Sequence, residues 1–328
     1  MTGSIRVGIV GYGNLGRGVE RALALCEDMQ LVGIFTRRDP TTLVPVGEQV
    51  AVYPQTSLAE FQDRIDVLIL CGGSKEDLPE QGPQLAATFN TVDSFDTHAK
   101  VPEYFAAMDE AARVGNRVAV ISVGWDPGLF SLNRLFGEAI LPHGETYTFW
   151  GKGLSQGHSD AVRRVPGVRA GVQYTLPQDD AMQRVRSGER PVLSTREKHR
   201  RECFVVLEEG ADAATVEQAI VSMPHYFADY DTQVHFVSEQ QLQAEHSAMP
   251  HGGFVIRSGV TGADANQVVE FSLKLDSNPE FTASVLVAYA RAAHRLQQQG
   301  QEGAYSVLDI EPAMISPKTP AQLRKELL

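Results

Sequence analysis

At 328 residues the chain is long enough for two domains, each with a core of its own. Apolar residues make up 43% and charged residues 21%, and the formal charge of −12 argues against nucleic acid or an anionic membrane as partner. No apolar stretch is long enough to span a bilayer, and the first strand starts too early to leave room for a signal peptide, so a cytoplasmic protein is expected.

The chain opens on an apolar run, Ile5 to Val10, that leads into Gly11-Tyr12-Gly13-Asn14-Leu15-Gly16. A helix is predicted over Arg17–Glu27, and a second apolar run, Leu31–Phe35, ends in Thr36-Arg37-Arg38. Strand, glycine turn, helix and strand in that order form the cradle a dinucleotide needs. Gly11 permits the tight turn, Gly13 lets backbone N–H groups approach the pyrophosphate, and Gly16 lets the helix pack on the strand. An ordinary glycine turn is the alternative. NAD sites place a carboxylate at the end of the second strand; here Thr36, Arg37 and Arg38 stand there, with no acid before Asp39. Guanidinium groups bind a 2′-phosphate in forked geometry, so NADP is the expected cofactor, against two solvated surface arginines as the alternative.

Further on, a helix is predicted near Leu58–Arg64, and a strand from Asp66 to Leu70 ends in Cys71-Gly72-Gly73-Ser74. In an open parallel sheet, ligands collect at the C-terminal ends of strands, which places Cys71, Gly72, Gly73 and Ser74 beside the cofactor or makes them a plain turn. Cys26, Cys71 and Cys203 lie far apart without metal or Cys-x-x-Cys spacing and read as small buried residues, with a catalytic thiol as the minor alternative. Then follow a helix over Glu80–Phe89, a short strand Thr91–Asp93 running into Ser94-Phe95-Asp96, a helix Val101–Val114 closed by Gly115, and a strand Arg117–Ile121. That last strand ends at Ser122-Val123-Gly124-Trp125-Asp126-Pro127-Gly128. Pro127 is expected in the first turn of a helix toward Ala139, leaving Trp125 and Asp126 protruding at the sheet edge.

From about Thr146 the pattern turns to strands (Tyr147–Gly151, Ala170–Leu176, Cys203–Leu207, Val268–Leu275), with helices at Asp212–Ser222 and Phe281–Gln299. The predicted fold class is α/β: a Rossmann-type doubly wound parallel sheet over residues 1–124, then an α+β substrate and dimerisation domain with an open mixed sheet over 125–300. Residues 301–328 form a tail packing back on the first domain. Polar clusters sit in glycine-rich loops around Gln156, Gly157 and His158, at Thr175, at Lys198–Arg201, at His251 and at Asn278. Singly, each has an ordinary explanation: the Lys198–Arg201 run is a solvated charge run, His251 a surface histidine, Asn278-Pro279 a turn. No group has metal-ligand spacing, and Ser155, His158 and Asp160 do not resemble a nucleophile elbow. Together the clusters suit a zwitterion, its ammonium facing Asp96 and Asp126 and its carboxylates facing Arg201, Thr175 and His251.

End to end, the chain resembles the meso-diaminopimelate D-dehydrogenase family. The resemblance is carried by Val10–Arg17, Phe35-Thr36-Arg37-Arg38, Gly124-Trp125-Asp126-Pro127-Gly128, Thr148-Phe149-Trp150-Gly151 and Gly153–Asp160. It continues through Gln173–Pro177, Met249-Pro250-His251-Gly252-Gly253 and Asn278–Ser284. It implies reversible, NADP-dependent oxidative deamination at the D-centre of meso-2,6-diaminopimelate by a homodimer. It also implies that Asp96 and Asp126 hold the reacting ammonium, that Trp125, Trp150, Gln156 and Gly157 line the pocket, that Thr175, Arg201 and His251 bind the distal carboxylate, and that Asn278 binds the distal amine. Thr36 stands where family members carry Ser, and the hydroxyl survives. Another two-domain NADP oxidoreductase acting on a small amino-acid precursor and a non-catalytic NADP(H) sensor are the competing expectations.

Overall fold

The computed structural model describes residues 3–263 and 265–328. Its strands are β1 (Ile5–Val10), β2 (Met29–Thr36), β3 (Val52–Pro54), β4 (Val67–Leu70), β5 (Thr91–Asp93), β6 (Val118–Val120), β7 (Gly144–Trp150), β8 (Gly153–Leu154), β9 (Val168–Pro177), β10 (His199–Leu207), β11 (Asp231–Phe236), β12 (His251–Val260), β13 (Asn266–Leu275) and β14 (Gly303–Tyr305). The helices are α1 (Asn14–Ala24), α2 (Leu78–Ala86), α3 (Val101–Val114), α4 (Leu129–Ile140), α5 (Gln156–Arg163), α6 (Asp179–Arg186), α7 (Thr195–Lys198), α8 (Ala213–Val221), α9 (Glu239–His246), α10 (Asn278–Gln298) and α11 (Pro320–Leu327). Two compact units result, one of Met1–Leu132 with Pro279–Leu328, the other of Asn133–Asn278.

In the first unit seven parallel strands run in the order β14-β6-β5-β4-β1-β2-β3. Alternation along a strand divides its side chains between two layers. On β4, Val67 and Ile69 face a core with Val19 and Leu23 of α1 and Leu286, Ala290 and Ala293 of α10. Leu68 and Leu70 face a second core with Leu78 of α2 and Tyr104 and Met108 of α3. A strand buried on both faces must be apolar throughout, which is why Val67–Leu70 is an unbroken apolar run. The doubly wound α/β class is as expected.

Several boundaries differ from expectation. The helix expected in the second domain, α10, lies with the first unit: its inward face fills that core, and Arg291 pairs there with Asp28. β14 extends the sheet beyond β6, and Val307 and Ile310 join the same core. Leu58–Arg64 is not an α-helix; Gln55–Phe61 is 3₁₀, burying Leu58 and Phe61, whose three-residue spacing suits that tighter period. Pro127 precedes α4 rather than opening it, because Gly128 at φ +130° lies outside the helical region. Trp125 does not protrude; it is buried with its ring edge-on to Phe130 at 5.2 Å.

The second unit has two sheets where one was expected. A four-stranded mixed sheet runs β11-β10-β9-β8, with β10 and β11 parallel, and a three-stranded antiparallel sheet runs β13-β12-β7. Val162, Cys203, Val205, Val216, Ile220 and Phe227 form the core of the first, and Phe149, Met182, Val185 and Ile256 that of the second. Among the described residues, no helix is long and apolar enough to cross a membrane.

Candidate active site

Within the first unit the predicted nucleotide residues gather at the C-terminal ends of the parallel strands. Gly11 adopts φ +88°, and a Cβ on Gly16 would come within 2.4 Å of the Gly11 carbonyl oxygen, so neither position accepts a side chain. Gly13 is exposed with nothing near its missing Cβ, and it caps α1 without a side-chain partner, leaving the helix start to meet an anion. Asn14 is exposed and Leu15 half-buried at the same turn. Tyr12 points its ring inward: its hydroxyl bonds Glu20, and burial pushes that hydroxyl up to about 12. The Tyr12 carbonyl accepts from the Arg38 guanidinium at 2.5 Å, and the buried Thr36 hydroxyl accepts from the Arg38 N–H at 3.1 Å. Arg37 is two-thirds exposed and paired with Asp77. A glycine cradle ending in two arginines fits a 2′-phosphorylated dinucleotide.

Asp77 was not singled out in the sequence. Its carboxylate accepts from the Gly73 N–H at 2.9 Å as well as from Arg37, and those two bonds outweigh its burial and hold it below the usual carboxylate range. The 71–74 turn also reaches the next loop, because the Asp96 N–H donates to the Ser74 hydroxyl at 3.1 Å. Asp96 is exposed on that loop, and Asp126 is half-buried after β6. Burial pushes the thiols of Cys71 and Cys203 up, the reverse of what a thiolate nucleophile needs.

In the second unit Gly153, Thr175 and Arg201 lie in one row across β8, β9 and β10. Thr175 and Arg201 are both buried, and the guanidinium donates to the Thr175 hydroxyl. It also lies 3.9 Å from the centre of the Tyr230 ring. Its Nε is buried without a hydrogen bond, and no carboxylate pairs with it among the described residues. Burial lowers the Arg201 pKa, so an anion here is strongly favoured. The His251 ring occupies the space a Cβ on Gly153 would need, 2.3 Å away, which brings His251 to the same row.

The Lys198–Arg201 run is not a solvated charge run. Strand alternation buries His199 and Arg201, and Arg200 pairs with Glu202. His199 Nε2 accepts from the Trp150 N–H at 2.8 Å, and its ring stacks on the Trp150 ring at 5.3 Å. Burial, then the charges of Arg201 and Lys198, push His199 down to about 3; burial and Arg201 push His158 down to about 4. His158 meets Ser155, which caps α5, so Gln156 and Gly157 stand at the start of that helix. Gln156 donates to Met249 Sδ, and the Met249 carbonyl accepts from the Asn278 N–H. His199 was hidden in the sequence by its charged neighbours; only the period of two along β10 marks it.

Residues 124–277 match the family model described as Diaminopimelic acid dehydrogenase C-terminal domain. The meso-diaminopimelate D-dehydrogenase of Lysinibacillus sphaericus is 67% identical over 325 residues, 99% of each chain. The chain belongs to the meso-diaminopimelate D-dehydrogenase family. Among solved structures of similar proteins, a sixfold variant of the Clostridium tetani meso-diaminopimelate dehydrogenase with bound diaminopimelate superposes with a TM-score of 0.94. It is 54% identical and covers 99% of this chain and 100% of its own. An engineered D-amino acid dehydrogenase bound to NADP+ superposes at 0.86, with 46% identity and the same coverage. The parallel sheet and the separate mixed and antiparallel sheets are the architecture of this family.

Proposed function

We propose that the chain catalyses the reversible, NADP-dependent oxidative deamination of the D-centre of meso-2,6-diaminopimelate to L-2-amino-6-oxopimelate, ammonia and NADPH. The observation that carries this is Arg201: a buried guanidinium with an unbonded Nε and, among the described residues, no carboxylate partner is a receptor for a ligand carboxylate. Family membership at 67% identity supports the reaction. The six substitutions of the Clostridium tetani variant replace Gln, Thr, Arg, Pro, His and Asn. Those types recur here in the same order and spacing as Gln156, Thr175, Arg201, Pro250, His251 and Asn278, which supports their assignment to the substrate.

The first unit is read as the dinucleotide-binding domain. The glycine turn, Thr36, Arg37, Arg38 and the turn from Cys71 to Ser74 would hold NADP+, which supplies the hydride acceptor when bound. Asp96 and Asp126 would bind the ammonium at the reacting centre. The amine needs to lose a proton before hydride can leave its carbon, and one of these carboxylates, or a water between them, accepts it. They then stabilise the cationic iminium, an electrostatic role, until a water adds to its carbon and the C–N bond breaks to give the oxo product and ammonia. Trp125, Trp150, Gln156 and Gly157 would orient the carboxylate at that centre. Arg201, Thr175 and His251 would hold the distal carboxylate and Asn278 the distal amine. Both ends of the substrate are amino acids, so fixing the L-end is what leaves only a D-centre hydrogen to react.

A cytoplasmic homodimer is part of the same reading. The exposed apolar residues Leu135, Phe136 and Ile140 on α4 and Val268 and Val269 on β13 support a second copy as partner, and native mass spectrometry tests it. The reaction itself is tested by following NADPH absorbance with the meso, LL and DD isomers, each with NADP+ and NAD+. Turnover with the meso isomer and NADP+ alone is expected; silence with all three isomers removes the assignment.

A further inference from the structure

Asp93 ends β5 three residues before Asp96, and it is fully buried. Its Oδ1 accepts from the Phe95 N–H at 2.9 Å and from the Ser122 N–H at 3.2 Å. Its Oδ2 accepts from the Tyr104 hydroxyl at 2.8 Å, and its carbonyl accepts from the Val123 N–H at 2.8 Å. Phe95 lies in the loop that carries Asp96, and Ser122 opens the loop that carries Trp125 and Asp126. One carboxylate therefore joins both loops. We propose that Asp93 is a positioning residue that sets the placement of Asp96 and Asp126 by holding the Phe95 and Ser122 amides on a single oxygen.

Two further features point the same way. Ser122 sits at φ +56°, a left-handed conformation that is unfavourable for a residue with a Cβ unless its surroundings hold it. The bond from its N–H to Asp93 is such a hold. Tyr104 serves both ends of the arrangement, since its hydroxyl donates to Asp93 and its ring stacks on Phe95 at 4.1 Å and 15°. The donors number three, and a carboxylate is the side chain that only accepts. Burial without a paired cation pushes Asp93 up to about 6 even against those three bonds. A side-chain amide would present an N–H where the second acceptor oxygen now stands, so the carboxylate is what lets one group take all three donors.

This rests on the proposed roles of Asp96 and Asp126, and the experiment separates the two. Asp93→Asn and Tyr104→Phe are made in the full chain alongside Asp96→Asn and Asp126→Asn. For each, kcat per NADP+-binding site, KM for meso-diaminopimelate, the deuterium isotope effect on kcat with substrate labelled at the D-centre, and Tm are measured. Asp93→Asn keeps the shape but turns an amide N–H toward a neighbour. It is expected to lower kcat per site about tenfold to a hundredfold, the scale of an ångström misplacement, with a larger isotope effect. Tyr104→Phe should give a smaller loss in the same direction, and it decides the matter if Asp93→Asn does not fold. Loss of activity with an unchanged isotope effect, or kcat within about twofold of wild type while Asp96→Asn and Asp126→Asn are inactive, overturns the inference. Wild-type kcat in Asp96→Asn and Asp126→Asn overturns the site assignment, and with it the inference.

Discussion

Arg201 faces Thr175 directly across the β9–β10 ladder, and its guanidinium donates to the Thr175 hydroxyl while its Nε bonds nothing. In the proposed reading this guanidinium holds the distal carboxylate, which contributes binding rather than chemistry. Arg201→Met is expected to raise KM for meso-diaminopimelate roughly tenfold to a hundredfold, from the 1.5–3 kcal/mol of a charge-assisted bond, with a smaller fall in kcat. Tm should hold or rise, because Met removes an unpaired buried charge. Equal losses in kcat and kcat/KM at constant KM would place Arg201 at the reacting centre instead.

In the proposed reading Asp126 binds the reacting ammonium. Asp126→Asn keeps the side-chain volume and removes the charge, and it should lower kcat about 10²–10³-fold at saturating substrate, the scale seen when one electrostatic partner of a transition state is removed. Steady-state kinetics decides it: wild-type kcat would show that the carboxylate does not act there.

In the proposed reading Arg37 and Arg38 carry the cofactor preference. Replacing both with Ala should raise KM for NADP+ by roughly ten- to a hundredfold and leave KM for NAD+ near its starting value. The exposed Arg37–Asp77 pair adds little stability by itself, so Tm should barely move. A parallel rise for both cofactors would mean that the arginines shape the turn and do not read the phosphate.

Stability should fall as the solution is acidified, in two stages. His158 and His199 are depressed from 6.5 to about 4 and about 3, so below pH 6.5 the unfolded chain takes up protons that the folded one refuses. Their contribution is present above 6.5 and is lost as pH falls toward the folded values, on the order of a few kcal/mol. Asp28 is held below its usual 3.8, first by the hydrogen bond from Arg291, and its contribution is lost only below that pH. Urea denaturation across pH 7 to 4 measures the first stage, in which proton uptake by folded Asp93 below about 6 offsets part of the loss. His199→Gln, whose amide oxygen can still accept from the Trp150 N–H, should reduce the slope by about one proton; an unchanged slope would exclude His199 as its source.

By itself the sequence determined what depends on neighbours along the chain. The β1–glycine–α1–β2 unit, the apolar β4 run and the α3 helix are set by patterns a few residues long, and so are Thr36, Arg37 and Arg38 at the end of β2. What only the tertiary structure decided is which distant segments meet. β7 pairs with β12 a hundred residues later, so one expected sheet became two, and α10 joined the first unit because its apolar face completes the layer over Val67 and Ile69. Side-chain direction within a charged run was equally hidden: Lys198–Arg201 looks uniformly polar until the pairing of β10 with β9 turns His199 and Arg201 inward. Asp93 is the plainest case. Its carboxylate matters because Phe95, Tyr104 and Ser122, up to 29 positions away, deliver their donors to it, and convergence of that kind is a property of the packed chain.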